Sequence, residues 1–129
     1  RQYLRDNALM WLEEYHIDGL RWDSTLYMRN AIGQNNAKAS DIPEAWALMQ
    51  WINEEIKAHF PGRISIAEDL QQNPWLTKPT SEGGAAFDAQ WDSAFVHPVR
   101  TALISDDDAI STPWPEPSPL STMATPSTV

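Results

Sequence analysis

The chain contains no cysteine, which excludes disulfides and thiolate zinc sites and is compatible with a cytoplasmic setting. Positive charge is scarce: nine Lys and Arg stand against eighteen Asp and Glu, for a net charge of −9. A nucleic-acid partner is not expected, because phosphate-backbone binders concentrate Lys and Arg. No apolar run approaches the roughly 20 residues of a membrane span, and no charged-then-apolar signal segment opens the chain. The sequence begins at Arg1 without an initiator Met, from which a fragment is expected. Histidines are few and dispersed. His16 reads as a structural residue at a strand start, and His59 and His97 have no ligand partners at useful spacing, so no metal or cofactor is expected.

What is present has α/β order. Leu4, Ala8, Trp11, Leu12 and Tyr15 recur at helical spacing over 2–15, leaving Arg5, Asp6, Glu13 and Glu14 for the other face. A strand is expected over 16–22, followed by a long polar loop, Ser24 to Asp41. Loops of that length inside compact domains tend to be functional or disordered. Ser40 or Asp41 can cap a second helix whose first turn holds Pro43 and Glu44. Its apolar residues are Trp46, Met49, Ile52, Ile56 and Phe60, and Pro61-Gly62 ends it. A short strand, Arg63 to Ala67, runs into Glu68-Asp69. A weaker strand-like run spans 85–92 after the turn residues Glu82-Gly83-Gly84, and a helix begins near 94, with Pro98 blurring its boundary. Helix, strand, helix, strand, with acids where strands finish, is the pattern of a parallel α/β sheet.

The stretch His16-Ile17-Asp18-Gly19-Leu20-Arg21-Trp22-Asp23 carries the chemistry. Ile17, Leu20 and Trp22 suit a buried strand, whereas Asp18, Arg21 and Asp23 are costly to bury unless paired. Side-chain direction in a strand has period two, so Arg21 and Asp23 point to one face. Arg21 can then hold Asp23 ionised and fit to act as a nucleophile. A plain ion pair at a strand end explains the same residues equally well.

Asp18-Gly19-Leu20-Arg21-Trp22-Asp23, followed at 66–69 by Ile66-Ala67-Glu68-Asp69, resembles two adjacent signatures of the α-amylase family of glycoside hydrolases and transglycosidases. Gly83-Gly84-Ala85-Ala86-Phe87-Asp88-Ala89-Gln90-Trp91 is similar to its branching-enzyme and maltooligosyltrehalose-trehalohydrolase branch. The resemblance covers about residues 1–108. It implies the middle of a (β/α)8 TIM barrel, incomplete here, since a closed barrel takes about 250 residues and this chain has 129. It also implies that Asp23 is the glycosyl nucleophile, Arg21 its orienting partner and Glu68 the general acid/base. A retaining glycosidase needs such a pair, one carboxylate ionised and one carboxyl protonated, about 5–5.5 Å apart. Neighbouring strand ends, about 4.8 Å apart, can meet that distance. Glu68 has no basic residue in its own motif, so the opposite protonation state from Asp23 is expected of it. The family's upstream signature ending in Asn-His and its downstream His-Asp pair are absent, and Ser24 stands where Ala often follows the nucleophile.

The expected partner is an α-glucan, with transfer of a chain from an α-1,4 to an α-1,6 position ahead of simple hydrolysis. A binding-only homologue and a barrel whose Asp23, Glu68 and Asp69 ligate Mg²⁺ are the readings from other classes, and Arg21 beside Asp23 disfavours the metal. Oligomeric state is not legible. Of the Trp residues, Trp11, Trp46 and Trp51 are expected in the core, while Trp75, after Glu68, and Trp22 are the candidates for glucan contact. Residues 109–129 form a Pro/Ser/Thr/Ala-rich tail with prolines at 113, 115, 117, 119 and 126, expected to be disordered. Its abrupt onset where the resemblance stops also fits a shifted reading frame. Asp106-Asp107-Asp108 reads as a solvated patch.

Overall fold

The computed structural model describes residues 1–104. The acidic run and the tail lie outside the described residues. Three strands, β1 (Gly19–Trp22), β2 (Ile64–Ala67) and β3 (Ala89–Gln90), form one sheet in the order β1-β2-β3. Both pairings are parallel, as the alternation of helices and strands predicts. The helices are α1 (Gln2–Glu13), α2 (Thr25–Arg29), α3 (Pro43–His59) and α4 (Ser93–Ile104). Residues 1–94 make one compact unit. In α4, Pro98 sits inside the helix, and its start is capped by Asp92, whose Oδ1 accepts from the Ala94 amide at 2.8 Å.

Helices α1 and α3 cover the sheet through a core of Leu9, Leu12, Leu48, Ile52 and Ile56, with Ile17, Leu20 and Trp22 packed against it. A second core, Met49, Ala67, Leu76, Ala85 and Phe87, lies where the segment between β2 and β3 folds back. That segment contains no α-helix, only single 3₁₀ turns at Pro74–Leu76 and Thr80–Glu82. Buried Asn53 closes it by donating to the Ala85 carbonyl at 2.7 Å. Gly19 permits the tight β1–β2 approach, since a Cβ there would lie 2.5 Å from the Ile64 carbonyl oxygen.

Several sequence expectations are corrected. Helix α1 buries Leu9 and Leu12, while Leu4, Trp11 and Tyr15 are exposed. Ala8 and Leu12 of the expected stripe do face the core, joined by Leu9, while Trp11 packs against Tyr15 at the surface, centroids 4.7 Å apart. His16 sits at φ 53° in a left-handed turn before β1, not in the strand. The long polar loop is ordered by Asn30, whose side chain donates to the Ala37 carbonyl and Asp41 Oδ1 and accepts from the Ile32 and Gln34 amides. It opens with α2, which buries Thr25, Leu26 and Arg29. Asp41 is thereby taken by Asn30, and α3 starts at Pro43 with no side-chain cap.

Candidate active site

The β1–β2 ladder runs past the strands into the two acids. Trp22 pairs with Ala67 in register, the Glu68 amide donates to the Trp22 carbonyl at 3.0 Å, and the Thr25 amide donates to the Glu68 carbonyl at 2.9 Å. Asp23 and Glu68 therefore leave neighbouring strands at the same height, at their C-terminal ends. Between them Ser24 adopts a left-handed conformation, φ 49° and ψ 43°. Such backbone costs a non-glycine residue about 1–3 kcal/mol and persists where the surroundings hold it. In that conformation the Ser24 amide donates to Glu68 Oε2 at 3.0 Å.

Arg21 joins the two carboxylates. Its Nη1 lies 2.7 Å from Asp23 Oδ1 and its Nη2 lies 2.7 Å from Glu68 Oε2. The guanidinium carbon sits 4.4 Å from the centroid of the Trp91 ring, and the Trp91 amide in turn donates to the Ala67 carbonyl at 2.9 Å. All three strand ends thus converge on one arginine. Glu68 does not stand clear of basic residues, as its own motif suggests. Its partner arrives from the adjacent strand. Asp23 is the open member, its side chain 76% exposed against 16% for Glu68.

The neighbouring acid, Asp69, turns the other way. It is fully buried and bidentate with Arg29, Nε to Oδ2 at 2.6 Å and Nη2 to Oδ1 at 2.7 Å. Arg29 Nη2 also donates to Asn35 Oδ1, and Asn35 Nδ2 to the Gln71 carbonyl, both at 2.6 Å. Asp23, Glu68 and Asp69 consequently do not converge on a common point, and no cluster of three or more metal-ligating side chains occurs among the described residues. This buried pair went unseen in the sequence. The only trace of it was an Arg in a stretch otherwise read as polar loop.

The two aromatic candidates part company. Trp22 is half-buried, packs edge-on against Phe87 with centroids 5.4 Å apart, and packs against both cores, as expected of a residue in a buried strand. Trp75 is 45% exposed, with the Lys78 ammonium 4.2 Å from its ring centroid. Trp91, 46% exposed, is the aromatic that lies against Arg21, which in turn pairs with both acids. No helix among the described residues is long and apolar enough to cross a membrane.

No family model matches the chain. Curated relatives do. A protein of Photobacterium profundum named 1,4-alpha-glucan branching enzyme GlgB is 36% identical over 105 residues, which is 75% of this chain and 15% of the relative. One of the same name from Pseudoalteromonas atlantica is 36% identical over 110 residues, 75% of this chain and 14% of the relative. Another from Myxococcus xanthus is 35% identical over 115 residues, 82% of this chain and 16% of the relative. The chain therefore spans only a small part of the length of the curated relatives it matches.

Proposed function

We propose, for a chain that is homologous to the glucan branching enzymes of the α-amylase family, that it supplies two of the catalytic carboxylates of a (β/α)8 barrel that remodels α-glucans by double displacement. The observation that carries this reading is the single guanidinium of Arg21 held against Asp23 and Glu68 at adjacent parallel strand ends. Strand C-terminal ends are where such barrels do their chemistry.

Asp23 is the nucleophile. Arg21 fixes one of its oxygens and orients the other toward the sugar carbon. Glu68 is the acid that protonates the leaving oxygen and the base that later activates the acceptor hydroxyl. Its Oε2 is engaged by Arg21 and the Ser24 amide, while Oε1 has no hydrogen-bond partner among the described residues. A proton carried on Oε1 is free to be donated. The acceptor in this reading is a glucan hydroxyl, making the reaction a transfer from an α-1,4 to an α-1,6 linkage, which the relatives' name, 1,4-alpha-glucan branching enzyme, supports. The absence of cysteine accords with a cytoplasmic setting for such an enzyme. By itself the 129-residue chain is expected to be inactive, because a closed barrel needs eight strands and the described residues hold three.

An activated glycosyl fluoride tests the roles in the whole protein. Its leaving group needs little acid help, so it should rescue Glu68→Gln far more than Asp23→Asn. Equal rescue of both variants would overturn the assignment.

A further inference from the structure

A cleft of about 570 Å³ opens between the start of α3 and the segment after β2, lined by Trp46, Trp75, Lys38, Asp41, Gln50 and Asn73 among others. Arg21, Asp23 and Glu68 do not line it. Its size falls within the range of small-molecule sites, and its lining is mainly apolar, with two tryptophans and a few polar side chains at the rim.

Trp75 is a fixed platform. Its amide donates to Asn73 Oδ1 at 3.0 Å, and its carbonyl accepts from the Ala85 amide at 2.9 Å. The Lys78 ammonium covers the ring at 4.2 Å. Lys78 is not part of the cleft lining, so the cleft meets the indole away from that cation. A tryptophan whose backbone is pinned on both sides and which is still 45% exposed offers apolar surface for a ligand to lie against.

Around it stand groups with unused bonding capacity. Asp41 engages Oδ1 with Asn30 and keeps Oδ2. Gln50 donates to the Gly84 carbonyl through Nε2 and keeps Oε1. Asn73 keeps Nδ2, and Lys38 makes no ion pair among the described residues. Two donors and two acceptors beside an aromatic ring suit a ligand whose rim of hydroxyls both donates and accepts. Lys38 and Asp41 balance in charge, and Arg29 is already committed to Asp69, so the ligand is neutral.

We infer that this cleft is a second carbohydrate site, holding a neutral oligosaccharide segment of the α-glucan on Trp75, separate from the Asp23–Glu68 pair. The identity of the sugar rests on the proposed function, whereas the site itself rests on the cleft. Titration of the full 129-residue chain with maltoheptaose, followed by tryptophan fluorescence, is expected to show saturable binding. Trp75→Ala should weaken it at least tenfold and Trp75→Tyr less than threefold. Lys38→Ala, at an exposed position outside both cores, should weaken it about threefold, so the test survives if Trp75→Ala fails to fold. Glu13→Gln, at an exposed position on α1 outside the cleft, should leave binding unchanged. No saturable binding, or binding indifferent to both Trp75→Ala and Lys38→Ala, overturns the inference. Binding lost in Asp23→Asn but kept in Trp75→Ala would also overturn it while leaving the acid pair's function intact. Binding at Trp75 in a whole protein that fails the glycosyl fluoride test would overturn the proposed function alone.

Discussion

Two arginines eight positions apart, Arg21 and Arg29, each hold carboxylates, and their surroundings make them different objects. The Arg21 side chain is 38% exposed and its partner Asp23 is 76% exposed, whereas the Arg29 side chain is 4% exposed and Asp69 is fully buried. Water can reach the first cluster, so a substrate can too, and one carboxylate oxygen of each acid is left for chemistry. In the second cluster both oxygens of Asp69 are consumed by the guanidinium, as burial demands of a charge. The same ion-pair chemistry thus yields an open, solvated cluster and a dry strut. They are also joined. Asp69 follows Glu68 directly, and Arg29 closes the short helix that starts just beyond Asp23, so the dry pair ties together the loops that carry the open pair.

If the division holds, Asp23→Asn in the whole protein lowers glycosyl transfer by at least about 10³-fold while changing stability by less than about 0.5 kcal/mol, as exposed positions do. A steady-state rate within tenfold of the unaltered protein would break the comparison at its open end. Arg29→Ala is expected to do the reverse to stability, costing about 3–5 kcal/mol by leaving Asp69 buried and unpaired. Urea unfolding measures it. Arg21→Ala, by the same measurement, should cost less than about 1 kcal/mol. Equal costs for the two arginines would mean that burial does not separate them. Arg29→Met combined with Asp69→Leu removes both charges at once and should recover most of the stability, with any remaining loss of transfer rate reporting how far the strut positions Glu68.

The open site was largely legible in the sequence and the strut was not. Arg21 and Asp23 two apart on a strand share a face by period alone, and the apolar run before Glu68 marks a second strand end. That Arg21 would also reach Glu68 depends on register, Trp22 against Ala67, which no local pattern encodes. Arg29 and Asp69 lie 40 residues apart, and a buried charge in a segment rich in Asn and Gln reads as solvated until its partner is known. The same limit misled the reading of α1. Trp11 looks like core by residue type, yet only the placement of α3 decides that Leu9 and Leu12 face inward.

A third pair, intermediate in exposure, sharpens the comparison with the smallest effect. Arg5 on α1 reaches Glu55 on α3, Nη2 to Oε2 at 2.5 Å, with the side chains 26% and 22% exposed. The hydrogen bond from Arg5 holds the Glu55 carboxyl below its ordinary value of 4.5, with desolvation opposing and the Trp51 indole and His59 adding lesser support. A folded-state value below the unfolded one means that the pair's contribution is present above the unfolded value and is lost as pH falls through the folded one. The difference in urea midpoint between the unaltered protein and Glu55→Gln should therefore be constant above about pH 5.5 and shrink as pH drops below the ordinary carboxylate range. Because both side chains remain in contact with water, the plateau should be far smaller than the loss in Arg29→Ala. A midpoint difference that grows on acidification would show that the carboxyl is held by burial rather than by Arg5, and would place this pair with the dry strut instead of between the two.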